Sequence, residues 1–170
     1  MRVGDTITKE TYEKITGSLR KSPRKVKAIK LLNNGLTLLV YFMYPSLLLL
    51  LAYQQDVRLW RVVLTPSISF VLVSIFRYYL NFQRPYEVLD IDPLMYKDTK
   101  GKSFPSRHIF SVFVIAMVFC YISLPVGLAL IVIGLFLAVV RVLGGVHFPI
   151  DVIAGGITGI LSGIIGLYLV

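Results

Sequence analysis

Two histidines, four arginines, an aspartate and a serine stand out from a chain that is otherwise mostly apolar. Seven residues, KSFPSRH from 102 to 108, hold two cations, two serines and one of only two histidines. The other histidine, His147, precedes Asp151 by four residues in RVLGGVHFPID. Across a helix start, that spacing lets the carboxylate hold one ring nitrogen and leaves the other aimed outward as a nucleophile. Ser106 stands where the N-cap of the following helix is expected. Its hydroxyl, the first free backbone N–H groups, the helix dipole and Arg107 then make an anion cradle, with His108 beside it. Arg77, Arg84, Arg107 and Arg141 indicate which anion, because the guanidinium fork matches phosphate oxygens bidentately. The chemistry that these residue types suggest is attack on phosphorus.

Elements able to position such a set must lie in a membrane. The 170 residues are 56% hydrophobic with a mean hydropathy of +0.75, too apolar for an ordinary soluble domain. With a span of about 20 residues as the measure, apolar stretches fall at Leu36–Tyr53, Val62–Leu80, Ile109–Leu124, Val126–Leu143 and Ile150–Val170. The fold expected is all-α, a polytopic membrane bundle of about five transmembrane helices. If the spans alternate, the end of the second, the start of the third, the end of the fourth and the start of the fifth share one face. Every unusual polar residue falls there. Singly, Arg77 and Arg141 read as snorkelling flanks, and His108 and His147 as helix-end residues. A charge at the bilayer centre costs about 2.5–3.5 kcal/mol on insertion scales, so several at one level imply a shared wet cavity or ligand.

Residues 1–30 form a basic segment ahead of a transmembrane domain at 31–170. Nine of the 18 Lys and Arg lie in it, against Asp5, Glu10 and Glu13. In a chain this apolar, the net charge of +9 points to anionic lipid heads and an orientation signal, not to nucleic acid. Ile7, Tyr12, Ile15 and Leu19 predict an amphipathic interfacial helix over 6–20. Ser22 followed by Pro23 predicts the start of a helix running into the first span, with Pro45 inside it. No short apolar core with a cleavage site is apparent at the N-terminus, so a removable signal peptide is not expected. Leu124-Pro125-Val126-Gly127 reads as a tight turn between the third and fourth spans. Gly155, Gly159 and Gly163 put small residues on one stripe of the last span, where a second helix can approach. Cys120, the single cysteine, reads as a packing residue.

At the polar residues the sequence resembles the type 2 phosphatidic acid phosphatase family, membrane lipid phosphatases related to vanadium haloperoxidases. That family's motifs are K-x6-R-P, P-S-G-H and S-R-x5-H-x3-D. Here RYYLNFQRP (Arg77 to Pro85), PSRH (Pro105 to His108) and VRVLGGVHFPID (Val140 to Asp151) stand in the same order and spacing, over roughly residues 60–170. Arginine replaces lysine at 77, arginine replaces glycine at 107 and valine replaces serine at 140. The resemblance implies that His147 attacks phosphorus, Asp151 orients it and His108 protonates the leaving oxygen. It also implies that Arg77, Arg84, Ser106, Arg107 and Arg141 hold the phosphoryl oxygens, and that no metal or other cofactor takes part. The substrate implied is a lipid phosphate: polyprenyl diphosphate, phosphatidylglycerol phosphate, phosphatidate or a glycolipid phosphate. Arg107 raises the expectation of a more highly charged head group such as a diphosphate.

Three other readings compete. The two histidines are also compatible with axial haem ligation. His108, His147 and Asp151 would make a metal-ligand set on paper, although four nearby arginines would repel a cation. A non-enzymatic membrane scaffold accounts for the spans but not for the polar convergence. The basic N-terminal segment places the N-terminus, and with five spans the site, on the cytoplasmic face of the cell membrane.

Overall fold

Apolar residues in this chain surround their helices instead of lining one side, and the resulting surface is inside out relative to a soluble domain. Leu49, Leu64, Phe70, Leu72, Phe136 and Ile157 are among the many large side chains left facing outward, as a lipid-embedded bundle requires. The computed structural model describes residues 7–95 and 99–170. They form helices α1 (Lys9–Arg20), α2 (Pro23–Tyr53), α3 (Leu59–Leu80), α4 (Pro85–Val88), α5 (Arg107–Ile122), α6 (Leu124–Leu143) and α7 (Pro149–Ile164), the last ending in a π-helical turn, Ile165–Leu169. No strand occurs among the described residues.

Among the described residues, four segments are long and apolar enough to cross a membrane: Pro23–Tyr53, Leu59–Val88, Leu124–Leu143 and Pro149–Leu169. The third span expected from the sequence is shorter. It is α5, whose 16 residues reach about 24 Å at 1.5 Å per residue, and it is the centre of the bundle. Ile109, Phe110, Val112, Phe113, Val114, Ile115, Ala116, Val118 and Phe119 are all buried. α5 packs chiefly against α7 and α6.

The glycine stripe explains the α5–α7 contact. A Cβ on Gly155 would lie 2.6 Å from the Ser106 carbonyl oxygen, one on Gly159 2.7 Å from that of Phe110, and one on Gly163 2.3 Å from Met117 Cβ. Each turn of α7 therefore meets the next turn of α5 at near-backbone distance. Gly127 plays the same part between α5 and α6, where a Cβ would sit 2.3 Å from the Cys120 backbone nitrogen. The turn expected at Leu124–Gly127 is instead the first turn of α6, joined to α5 by Ser123 alone in an extended conformation. Proline in a first helical turn loses no hydrogen bond, so Pro125 starts the helix.

The N-terminal helix begins with Thr8 accepting from the Thr11 N–H at 3.3 Å. It turns Tyr12 and Thr16 inward and leaves Ile15 exposed. The Tyr12 hydroxyl donates to the Leu143 carbonyl at 3.1 Å, and Arg20 pairs with Asp92 at 3.2 Å. α2 begins at Pro23, as Ser22-Pro23 predicts, although the Ser22 side chain makes no capping bond.

Candidate active site

The end of α3, the start of α5, the end of α6 and the loop before α7 meet around one cavity of about 550 Å³. Arg77, Arg84, Arg107, His108, Arg141 and His147 line it, together with Lys102, Tyr41, Phe70, Ser74 and Tyr78. Of the eight residues singled out in the sequence, the remaining two, Ser106 and Asp151, lie behind this wall with no exposure. The lining holds five cationic side chains and no carboxylate.

His147 sits in the short connection between α6 and α7, on a backbone that Gly145 turns with φ of +74°. A side chain at that position would be strained and would meet the Tyr12 hydroxyl at 2.6 Å. His147 Nδ1 is 3.5 Å from Asp151 Oδ2 and 3.4 Å from Ser103 Oγ. Ser103 donates to the same Oδ2, and the Phe148 N–H reaches it at 3.0 Å. Asp151 thus closes the first turn of α7 and faces His147 with one oxygen, while its own carbonyl accepts from the Ser106 N–H at 2.8 Å. Burial holds the His147 imidazole well below its usual range, to about 3, against the opposing pull of the Asp151 hydrogen bond. That direction favours the neutral ring, and with Nδ1 on the carboxylate side Nε2 is the nitrogen left for the cavity that His147 lines.

His108, in the first turn of α5, is held from a helix whose part in the site the sequence did not suggest. Its Nε2 lies 3.0 Å from Thr37 Oγ1 on α2, and its ring stands 6.0 Å from that of Tyr41. Thr37 gives its own proton to the Asn33 carbonyl at 2.6 Å. It therefore accepts from His108, which fixes the imidazole orientation.

The four arginines do different work. Arg77 donates to the carbonyls of Lys102, Ser103 and Pro105, and Arg84 to those of Gly101 at 3.0 Å and Val146 at 3.1 Å. Between them they tie the 101–105 loop to α3 and to the His147 loop while keeping their charge beside the cavity. Glu87 backs this arrangement by accepting from the Arg84 and Gly101 N–H groups at 2.7 and 2.9 Å. Arg141 is only 8% exposed, yet its Nε has no partner. The Ser106 hydroxyl, placed at the N-cap of α5, is likewise buried without a partner and makes no capping bond. Arg141 thus brings an open buried donor to the cavity lining, while the open Ser106 hydroxyl lies behind it. Arg107 is exposed at the mouth, 5.3 Å over the Phe70 ring. Among the described residues no three His, Cys, Asp or Glu side chains gather as a metal-ligand group.

Residues 58–170 match the model of the PAP2 superfamily, and the chain belongs to that family. Its class is therefore that of the membrane lipid phosphatases, phosphoric ester hydrolases built on an all-helical bundle. The crystal structure of Aquifex aeolicus LpxE is similar with a TM-score of 0.75 and 27% identity, over 98% of this chain and 99% of that one. The crystal structure of the first transmembrane PAP2 type phosphatidylglycerolphosphate phosphatase from Bacillus subtilis shares the fold. Its TM-score is 0.68 at 24% identity, over 93% of this chain and 82% of that one. No curated protein sequence matches the chain.

Proposed function

We propose that the protein hydrolyses the phosphomonoester or diphosphate head group of a membrane lipid through a phosphohistidine at His147. The observation that carries this reading is a buried histidine braced on one nitrogen by Asp151 and Ser103 and lining a cavity of five cations. His147 Nε2 attacks phosphorus, and the P–N bond forms as the bond to the lipid oxygen breaks. His108 gives that oxygen its proton, releasing the lipid alcohol or monophosphate. Water, losing a proton to His108, then attacks the phosphohistidine, frees phosphate and restores both histidines. Arg141 donates to the equatorial oxygens, and Arg77 and Arg84 add positive charge from fixed positions. The charge on the phosphoryl group is met by guanidinium groups, and turnover is expected to persist in EDTA.

The lipid classes that fit are polyprenyl diphosphate, phosphatidylglycerol phosphate and phosphatidate. The Tyr12 hydroxyl of α1 donates to the Leu143 carbonyl at the end of α6, just before the His147 loop, which supports a reading in which the basic segment and the site share one face and contact with anionic lipids brings both to the surface. The positive-inside rule assigns that face to the cytoplasm. Labelling of a cysteine at Thr99 from outside the cell would overturn the assignment. Hydrolysis itself is tested by phosphate release from detergent-purified protein over these lipids in EDTA. Release that disappears in His147→Ala is expected, and equal release by that variant would refute the reading.

A further inference from the structure

Two of the cavity's five cations neither tie its walls, as Arg77 and Arg84 do, nor lie buried, as Arg141 does. Arg107 stands 5.3 Å over the Phe70 ring and Lys102 Nζ 5.0 Å over the Tyr78 ring, both on one face of α3. Both cations are exposed, and among the described residues neither pairs with a carboxylate. Ser74, one turn from each aromatic, has a buried hydroxyl with no partner. A cation–π contact at an exposed site is weaker than a charge-assisted hydrogen bond to phosphate, so each ring parks its cation without committing it.

The charge balance points the same way. A transferred phosphoryl group brings a charge of about −1.5 to −2, which leaves roughly three of the five lining cations unmatched. The position of the surplus is defined. Phe70, Ser74, Tyr78 and Arg107 also line a second, more apolar cavity of about 540 Å³ along the lipid-facing side of α3. These residues therefore stand between the phosphoryl site at His147 and the place where an acyl or prenyl tail would lie. A substrate lying across both cavities passes its head group's inner part by Arg107, which lines both, and by Lys102, which lines the first.

We propose that Arg107 and Lys102, parked on Phe70 and Tyr78, bind a second phosphate of the lipid substrate, the one that stays with the lipid when the outer phosphoryl group moves to His147. The proposal rests on the phosphatase reading above and gives it a substrate class, a lipid bearing two phosphates. That second phosphate is either joined to the first by an anhydride or separated from it by a linker such as glycerol.

The test compares kcat/KM for matched pairs: farnesyl diphosphate against farnesyl monophosphate, and dioleoyl phosphatidylglycerol phosphate against dioleoyl phosphatidate. Each pair is measured with wild type, Arg107→Gly, Arg107→Lys and Lys102→Ala. The expected result is a preference for the two-phosphate member of one pair that falls at least tenfold in Arg107→Gly. Arg107→Lys should keep most of the preference, since the charge remains, and Lys102→Ala should lower it independently if Arg107→Gly does not fold. The pair that responds identifies anhydride or linker. Equal losses for both members of both pairs in Arg107→Gly and Lys102→Ala would overturn the second-phosphate site while leaving the phosphatase reading intact. No hydrolysis of any lipid by wild type would overturn both.

Discussion

Replacing Asp151 with asparagine isolates the charge of the carboxylate from its shape. Ser103 Oγ, the Phe148 N–H and His147 Nδ1 all converge on Oδ2 of Asp151. An asparagine whose carbonyl oxygen takes that place can receive all three, so the first turn of α7 and the imidazole tautomer are kept. What is lost is the negative charge 3.5 Å from His147 Nδ1. In the proposed mechanism the ring becomes positive as it attacks phosphorus. Coulomb's law at that separation with an effective dielectric of about 20 gives roughly 5 kcal/mol for full charge development and about half that for a half-formed charge. At about 1.4 kcal/mol per decade, kcat should fall by between about 50-fold and about 3,000-fold. KM should change little, because the charge arises only on the way to the transition state. Steady-state phosphate release at saturating lipid measures this directly. Asp151→Ala, which strands Ser103 and the Phe148 N–H in a buried site, should be worse and should also lower the melting temperature. A kcat for Asp151→Asn within threefold of wild type would refute the orienting and charge-stabilising role, as would an Asp151→Ala variant no worse than Asp151→Asn.

Ser103→Ala removes a bond to a charged acceptor, an interaction of about 1.5–3 kcal/mol. A fall in kcat of about ten- to a hundredfold with an intact fold is expected, measured in the same assay. Gly155→Ala places a methyl group 2.6 Å from the Ser106 carbonyl. Overpacking of this kind costs about 1–3 kcal/mol, so a lower melting temperature in detergent and weaker activity should appear together. For His147, burial puts the folded pKa at about 3 against 6.5 for the free ring. The unfolded chain then binds more protons throughout that window, and the stability present above pH 6.5 is lost progressively as pH falls towards 3. Thermal unfolding at pH 7.5 and pH 5 should show this loss, with a smaller difference in His147→Gln.

The residues of the site were readable in the sequence because charge and hydroxyl groups are conspicuous in apolar spans and their intervals match helix ends. Their partners were not. Ser103 lies in the same conspicuous stretch as Ser106, but nothing local indicates that its hydroxyl meets a carboxylate 48 positions later. Thr37, in the apolar first span, looks like a tolerated membrane threonine until α2 is seen against His108. The four arginines share one residue type, and only the folded loops show that Arg77 and Arg84 spend donors on carbonyls while Arg141 keeps its Nε open. At the level of the fold, hydropathy located the spans yet could not tell a lipid-facing helix from α5. A segment apolar on every side suits either environment. Pro125 was ambiguous for a related reason, since proline marks both turns and first helical turns.

The central claim, that His147 carries the phosphoryl group, is tested most directly by rapid quenching with a lipid substrate labelled with ³²P in its transferred phosphate, followed by peptide mapping. Acid-labile, alkali-stable label on the peptide containing His147, absent from His147→Ala, is the predicted result. Turnover that continues in His147→Ala, or label on another residue, would contradict the account.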